Sequence, residues 1–387
     1  MTDWSDTEIA DLAAALPAWY AAHQRELPWR ATRDPYAIWV SEVMLQQTRV
    51  EVVIPYYQRF LAAFPTPGAL AKAPEEEVLA HWSGLGYYSR ARNLRRGAGL
   101  VADAHRGRFP SERQAALALP GVGPYTAAAV LSIAYDRPHA AVDGNVIRVL
   151  ARLFALEPPR DRSMPLLDRL ADRLLDRDRP GAWNQAMMEL GATVCTPRAP
   201  LCDQCPAASA CRARRLGRPE SFPAPKNRAE SIEVRGVLLL LRDPAGRLLL
   251  ERGRWRLLPS LWLPPILADA ALAPSLPGLS EAGDLPRALA NRGWAERAHE
   301  LRPLGAVRHT ITRHRIRLDV VAGRSREAFP TEPEQEWVDW SALAARGRSS
   351  LIEKALRLEQ GVGVSDPARP ESGRARRRTA EAAGGQR

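Results

Sequence analysis

The sequence predicts a two-part chain: an all-α first part, residues 1–216, and a mixed α/β second part, residues 231–360. Three observations predict it. In the first part apolar residues recur at helical spacing, with Asp, Ser or Pro at the starts and glycine at the stops, and no stretch reads as a strand. Residues 217–230, GRPESFPAPKNRAE, are polar and proline-rich without an apolar period, which predicts a linker. Beyond it, SIEVRGVLLLLRDPAGRLLLERG sets two apolar runs around Asp243-Pro-Ala-Gly246, the pattern of a hairpin. IRLDVVAG and QEWVDW add strands, and helices are expected near 284–299 and 350–358. The glycine-containing, basic residues 361–387 predict a disordered tail.

The 55 Lys+Arg against 44 Asp+Glu leave a net charge of +11, which points to an anionic partner, nucleic acid first. Solvated arginine faces are the plain alternative. The acidic start, MTDWSDTEIADLAAALPAW, has neither the basic region nor the apolar core of a signal peptide, and no run approaches about 18 apolar residues. A cytoplasmic chain without a membrane span is expected. All four cysteines fall within seventeen residues, which leaves none for a disulfide framework elsewhere and fits a reducing compartment.

That cluster, CTPRAPLCDQCPAASAC, spaces Cys195, Cys202, Cys205 and Cys211 as C-x6-C-x2-C-x5-C. Four thiolates in so short a loop can surround one metal centre, and zinc or an iron–sulfur cluster accepts four sulfurs. Zinc usually takes two C-x2-C arms, and only one is present, which favours iron–sulfur. In LPGVGPYTAAAV, Gly121 and Gly123 precede a helical pattern they would weaken, so a bare backbone is required there; an ordinary turn is the alternative.

Two carboxylates stand out. In DPYAIWVSEVMLQQTRV, Asp34 is a natural N-cap and Pro35 a first helical residue; Ile38, Glu42 and Leu45 then share a face. A glutamate in that apolar stripe is desolvated, stays protonated and serves as a general acid, unless it is paired or solvated at the edge. In AAVDGNVIRVLARLFAL, Asp143 is also a natural N-cap, and capping favours the anion, so a depressed pKa is expected. GLGYYSRARN sets Tyr87 and Tyr88 ahead of Arg90 and Arg92, as a core pair or as aromatics beside phosphate-binding cations.

Together these stretches resemble the endonuclease III and MutY branch of the helix-hairpin-helix DNA glycosylases, densely over residues 20 to about 215 and loosely beyond. The cysteine spacing is similar to that branch's [4Fe–4S] loop, LPGVG to its hairpin, and LPWR…DPYAIWVSEVMLQQT with VDGNV to its catalytic motifs. The resemblance implies an all-α helix-hairpin-helix glycosylase domain with a cluster on the four cysteines, followed by a Nudix-like α/β domain that reads the lesion. It implies a monomeric base-excision enzyme that acts on double-stranded DNA holding adenine opposite 8-oxoguanine or guanine, flips the adenine and hydrolyses its N-glycosidic bond. Glu42 would then protonate N7 of the base, Asp143 stabilise the sugar cation, and Asn145 orient it. Arg25, Trp29 and Gln185 would line the adenine pocket, Tyr87 intercalate, Gln47 wedge into the gap, and the amides of Gly121 and Gly123 hold a phosphate.

Tyr125 takes the place of the lysine nucleophile of the lyase relatives, and no lysine lies between Lys72 and Lys226. That argues against the rival reading, a bifunctional lyase. The presence of both carboxylates argues against a non-catalytic DNA sensor. In the second part RGRWRLLPSLWLPP, around Trp262, resembles an early Nudix-like loop, while the glutamate-rich Nudix box is missing. The family's Phe-Ser-His contact to 8-oxoguanine is replaced by Ile311, Thr312 and Arg313. Thr312 keeps a hydroxyl donor, and a weakened lesion preference is expected.

Overall fold

The computed structural model describes residues 6–157, 160–224, 230–255, 257–258, 261–268, 285–329, 331–343, 346–347 and 349–361. Residues 225–229 of the expected linker and the expected tail from 362 onward lie outside them. Among the described residues the first part is helical throughout. Its helices are α1 (Asp6–His23), α2 (Pro35–Leu45), α3 (Val50–Ala63), α4 (Pro67–Lys72), α5 (Glu75–Trp82), α6 (Ser89–Ala104), α7 (Arg113–Leu117), α8 (Pro124–Tyr135), α9 (Gly144–Leu153), α10 (Arg160–Leu174), α11 (Pro180–Thr193) and α12 (Arg212–Arg215).

Local chemistry starts these helices where the sequence placed the starts. The Asp34 carboxylate accepts from the amides of Tyr36 and Ala37 at 3.1 and 3.3 Å, with Pro35 as first residue of α2. Asp143 caps α9 through the amide of Val146 at 2.7 Å. Capping of this kind contributes about 1 kcal/mol each, so packing must supply the rest. α2 is buried on all sides, and around it Trp39 packs edge-on against Phe109 and Phe60 against Phe64 and Trp82. A second core joins α1, α9, α10 and α11 to the cysteine loop. Glycines set the close approaches: a Cβ on Gly181 would lie 2.6 Å from the Ser132 carbonyl of α8, and one on Gly191 2.6 Å from the Asn145 Cβ of α9.

The second part holds strands β1 (Ile232–Arg242), β2 (Leu248–Arg252), β3 (Trp262–Leu263), β4 (Ile266–Ala268), β5 (Ala298–Ile311), β6 (His314–Ser325) and β7 (Gln335–Val338). Its helices are α13 (Leu285–Asn291), α14 (Trp340–Leu343) and α15 (Ser350–Glu359). The sheet order is β3-β2-β1-β6-β5, with β4 on β1 and β7 on β2; β1 and β6 are parallel, the other pairs antiparallel. The expected hairpin is present: Gly246 has φ +83° and its amide donates to the Asp243 carbonyl at 2.9 Å. The mixed α/β class holds.

Two expectations need correction. The helix expected over 284–299 ends at Asn291, where Gly293 at φ +66° turns the chain, and Ala298 opens the long strand β5. Pro303, Gly305 and two register shifts, between His299 and Arg302 and between Pro303 and Gly305, break the period of two that would have marked it. Phe222, inside the expected linker, is buried in the second helical core, and its carbonyl accepts from Arg152 at 3.2 Å.

The α/β part leans on α5. The Glu76 carboxylate accepts from the Trp262 indole at 3.2 Å and from Arg252 at 3.1 Å, and a Cβ on Gly347 would lie 2.7 Å from the Leu79 Cβ. Among the described residues no helix is long and apolar enough to cross a membrane.

Candidate active site and cysteine loop

A cavity of about 630 Å³, of a size that takes a small molecule or a base, opens between α2, α8, α9 and α11. Arg25, Trp29, Glu42, Gln47, Tyr125, Asp143, Asn145 and Gln185 all line it. Residues from five separate stretches of sequence therefore meet at one place. Thr312 does not: it sits at φ +53° on the exposed β5–β6 turn, its hydroxyl on the Ile311 carbonyl at 2.7 Å.

Glu42 is 5% exposed, and the Tyr125 hydroxyl donates to its Oε2 at 2.6 Å. Burial raises its carboxyl to about 7; the Tyr125 bond and the Arg30 charge pull down and the Asp143 charge pushes up, without reversing that sign. The carboxyl is thus half-protonated near neutral pH. Tyr125 is half-buried, and desolvation holds it well above its ordinary pKa, so it stays a neutral donor.

Asp143 corrects an expectation. Burial outweighs its caps, so its pKa lies above the ordinary aspartate value rather than below it. The opposing donors are the Val146 and Asn145 amides and the Asn145 side chain, whose Nδ2 lies 3.0 Å from Oδ2. Asn145 is fixed in turn by Arg148, which donates to its Oδ1 at 2.8 Å and to the carbonyls of Gly191 and Cys195 at 2.6 and 2.7 Å. That arginine ties the carboxylate end of α9 to the start of the cysteine loop.

The opposite wall holds a group that the sequence left unread. Glu189 is fully buried; Arg25 grips both its oxygens at 2.7 and 2.9 Å, and Arg30 adds a bond at 2.7 Å. Burial alone would raise its carboxyl, but the arginine bonds win and hold it at about 2. Spacing offered a signal for it: Glu189 lies four residues after Gln185 on α11 and shares its face.

The hairpin glycines differ from each other. Gly121 has φ +77°, and a Cβ there would lie 2.7 Å from the Asn93 Cβ, so its bareness already serves the turn and the packing on α6. Gly123 caps α8 with ordinary φ and open space beside it, which leaves the helix N-terminus approachable. Gln47 and the 42%-exposed Tyr87 stand on surface loops, both in the left-handed region at φ +57° and +49°.

Cys195, Cys202, Cys205 and Cys211 line one small apolar cavity with Val149, Leu153 and Leu190. The buried Arg152 organises the loop, donating to the Thr196 carbonyl at 2.7 Å, the Pro197 carbonyl at 3.1 Å and the Cys195 Sγ at 3.3 Å. Burial pushes the Cys205 thiol up to about 12, so a thiolate there calls for positive charge beside it. Among the described residues no three His, Cys, Asp or Glu side chains converge on a single ion.

Residues 40–170 match the family described as "HhH-GPD superfamily base excision DNA repair protein". The chain is 50% identical over 226 residues to the adenine DNA glycosylase of Rattus norvegicus, covering 54% of this chain and 44% of that one. It is 46% identical over 238 residues to the adenine DNA glycosylase of Homo sapiens, covering 59% and 44%. The chain thus spans less than half the length of these relatives. The solved structure of a thermostable thymine-DNA glycosylase superposes with a TM-score of 0.51 at 29% identity, covering 55% of this chain and all of that one. Fold, cavity and sequence agree in their likeness: over residues 40–170 this chain is similar to the HhH-GPD superfamily of base excision DNA repair proteins.

Proposed function

We propose that the protein is an adenine DNA glycosylase that hydrolyses the N-glycosidic bond of adenine opposite 8-oxoguanine or guanine and leaves the strand intact. The observation that carries the reading is the pair of carboxylates facing one cavity, with Glu42 raised to about 7. Its proton is held at neutral pH yet available, the condition for a general acid. Three donors favour charge on Asp143 against its burial, so a proton shared by the pair settles on Glu42. Protonation of the extruded adenine by Glu42 makes it a neutral leaving group, and the Asp143 anion stabilises the oxocarbenium-like sugar until water adds. Arg25 and Arg30, locked on Glu189, hold the wall against which a base would lie.

Hydrolysis is preferred to a lyase step because no lysine among the described residues lines the cavity and Tyr125, neutral and hydrogen-bonded to Glu42, offers no amine for a Schiff base. The proposed DNA contacts are the Gly123 helix start, the Gln47 and Tyr87 loops, and the Thr312 turn facing the opposite base.

Cys195, Cys202, Cys205 and Cys211 would hold a [4Fe–4S] cluster. One zinc ion would draw its sulfurs to about 3.8 Å from each other, whereas a multi-iron cluster takes them further apart. Four cysteines lining one small apolar cavity, with a single C-x2-C arm among them, support the latter. Such a cluster would supply a rigid node in the loop that Arg148 and Arg152 brace.

The test is single-turnover adenine release from A:8-oxoguanine and A:G duplexes by the intact protein and by Glu42→Gln, with borohydride present in a parallel reaction. The expected result is release by the intact protein, a loss of about a thousandfold in the variant with duplex binding retained, and no trapped adduct. Normal release by the variant would remove Glu42 from the mechanism; a trapped adduct would make the enzyme a lyase.

A further inference from the structure

We propose that Arg90 is a positioning residue whose single guanidinium locks together the two loops that carry Gln47 and Tyr87, so that they enter the duplex as one rigid wedge. The wedge role rests on the glycosylase reading; the locking rests on geometry alone.

Arg90 stands in the first turn of α6, 9% exposed, with no carboxylate partner among the described residues. A buried cation without a counter-ion persists only where dipoles replace its water. Here they come from two directions. Nη1 donates toward the carbonyls of Val43, Met44 and Gln46 at 2.9, 3.0 and 2.5 Å, the negative end of α2. Nη2 donates to Thr48 Oγ1 at 3.3 Å and to the carbonyls of Leu85 and Gly86, each at 3.2 Å. One side of the fork therefore ends at the residue before Gln47 and the other at the residue before Tyr87. The guanidinium also lies 5.4 Å from the Tyr87 ring and 5.5 Å from that of Trp82, whose indole bonds the Gly86 carbonyl at 3.1 Å.

Both loops need such a lock. Gln47 and Tyr87 are non-glycine residues in the left-handed region, a conformation that costs free energy and survives only when the surroundings fix it. Extruding a paired base costs unstacking and unpairing, which a wedge offsets only if its parts arrive already placed. A lysine cannot substitute, because one ammonium nitrogen does not reach two sets of carbonyls on either side of a planar fork. The Arg90 guanidinium bonds backbone carbonyls and the Thr48 hydroxyl and no carboxylate of the cavity, so its removal should leave proton transfer alone.

The test uses the full chain and the variants Arg90→Lys and Arg90→Met. Without DNA, hydrogen exchange at residues 45–48 and 84–88 is expected to accelerate in both loops together, while α8 and α11 stay protected. With DNA, single-turnover adenine release from an A:G duplex should fall at least about tenfold, yet stay within about threefold for adenine opposite an abasic site, where no pairing must be broken. The pH profile should not move. Should Arg90→Met fail to fold, Arg90→Lys carries both measurements. Acceleration in one loop or neither overturns the lock. Equal losses on the two substrates, or none, overturn the wedge role. An intact protein that releases no adenine from either substrate would defeat the glycosylase reading and the wedge with it, while the exchange result still decides the lock.

Discussion

Two buried glutamates face the same cavity and lean in opposite directions. Glu42, on α2, is raised to about 7; Glu189, on the facing α11, is held at about 2. Burial pushes both upward. The difference is the company: Glu42 has one neutral hydroxyl and Glu189 two guanidinium groups that saturate its oxygens. Burial sets how far a carboxyl can move, and the partner decides which way. One wall of the cavity is thereby able to give a proton while the other is a fixed, fully paired anion.

The contrast can be broken from the Glu189 side first. Glu189→Ala leaves Arg25 and Arg30 without their acceptor, a loss expected at about 3 kcal/mol and kept to the low end because Arg25 is 36% exposed and can turn to water. Urea denaturation measures it. A loss under about 1 kcal/mol would mean that the pairing is ornamental and that the two walls do not differ as described.

Stability against pH sharpens the same contrast. Glu42 binds its proton more tightly in the folded chain than at the ordinary 4.5, so its contribution is full below about 4.5 and is lost as pH rises through about 7. That loss amounts to about 3 kcal/mol at most. Glu189 behaves inversely: its contribution is present above about 4.5 and is lost as pH falls through about 2. In Glu42→Gln the decline between pH 4.5 and 7 should flatten, which urea unfolding at the two ends of that window would show. An unchanged slope would assign the decline to other groups.

The smallest effect belongs to Tyr125→Phe. Its hydroxyl lowers the Glu42 pKa, so its loss should raise that pKa further and, for the proposed adenine release, carry the alkaline limb of the profile to higher pH. A limb that stays in place or moves to lower pH would show that the hydroxyl is not what restrains Glu42.

Much of the architecture was legible because its signals are local. Asp34-Pro35 and Asp143 open helices by satisfying the free amides of a first turn, a matter of three or four neighbouring residues. Asp243-Pro-Ala-Gly246 makes its turn because glycine accepts the φ it needs. β5 escaped for an equally local reason, since its bulges erase the alternation by which a strand is recognised. Glu42 was legible as a carboxylate in an apolar stripe. Its counterweight, Glu189, was not, because the arginines that neutralise it lie 164 and 159 residues away in sequence. Arg90 was read beside Tyr87 as a phosphate contact, yet it is buried against carbonyls more than forty residues upstream.

The sequence by itself determined where helices and turns begin, the spacing of the four cysteines, and which side chains are candidates for chemistry, since each depends on neighbours within a turn or two. The tertiary structure alone decided which carboxyl is pinned as an anion, and that Asp143 lies above rather than below its ordinary pKa despite its caps. The physical reason is that desolvation and ion pairing depend on what distant segments bring within a few ångströms, and no local pattern records that distance.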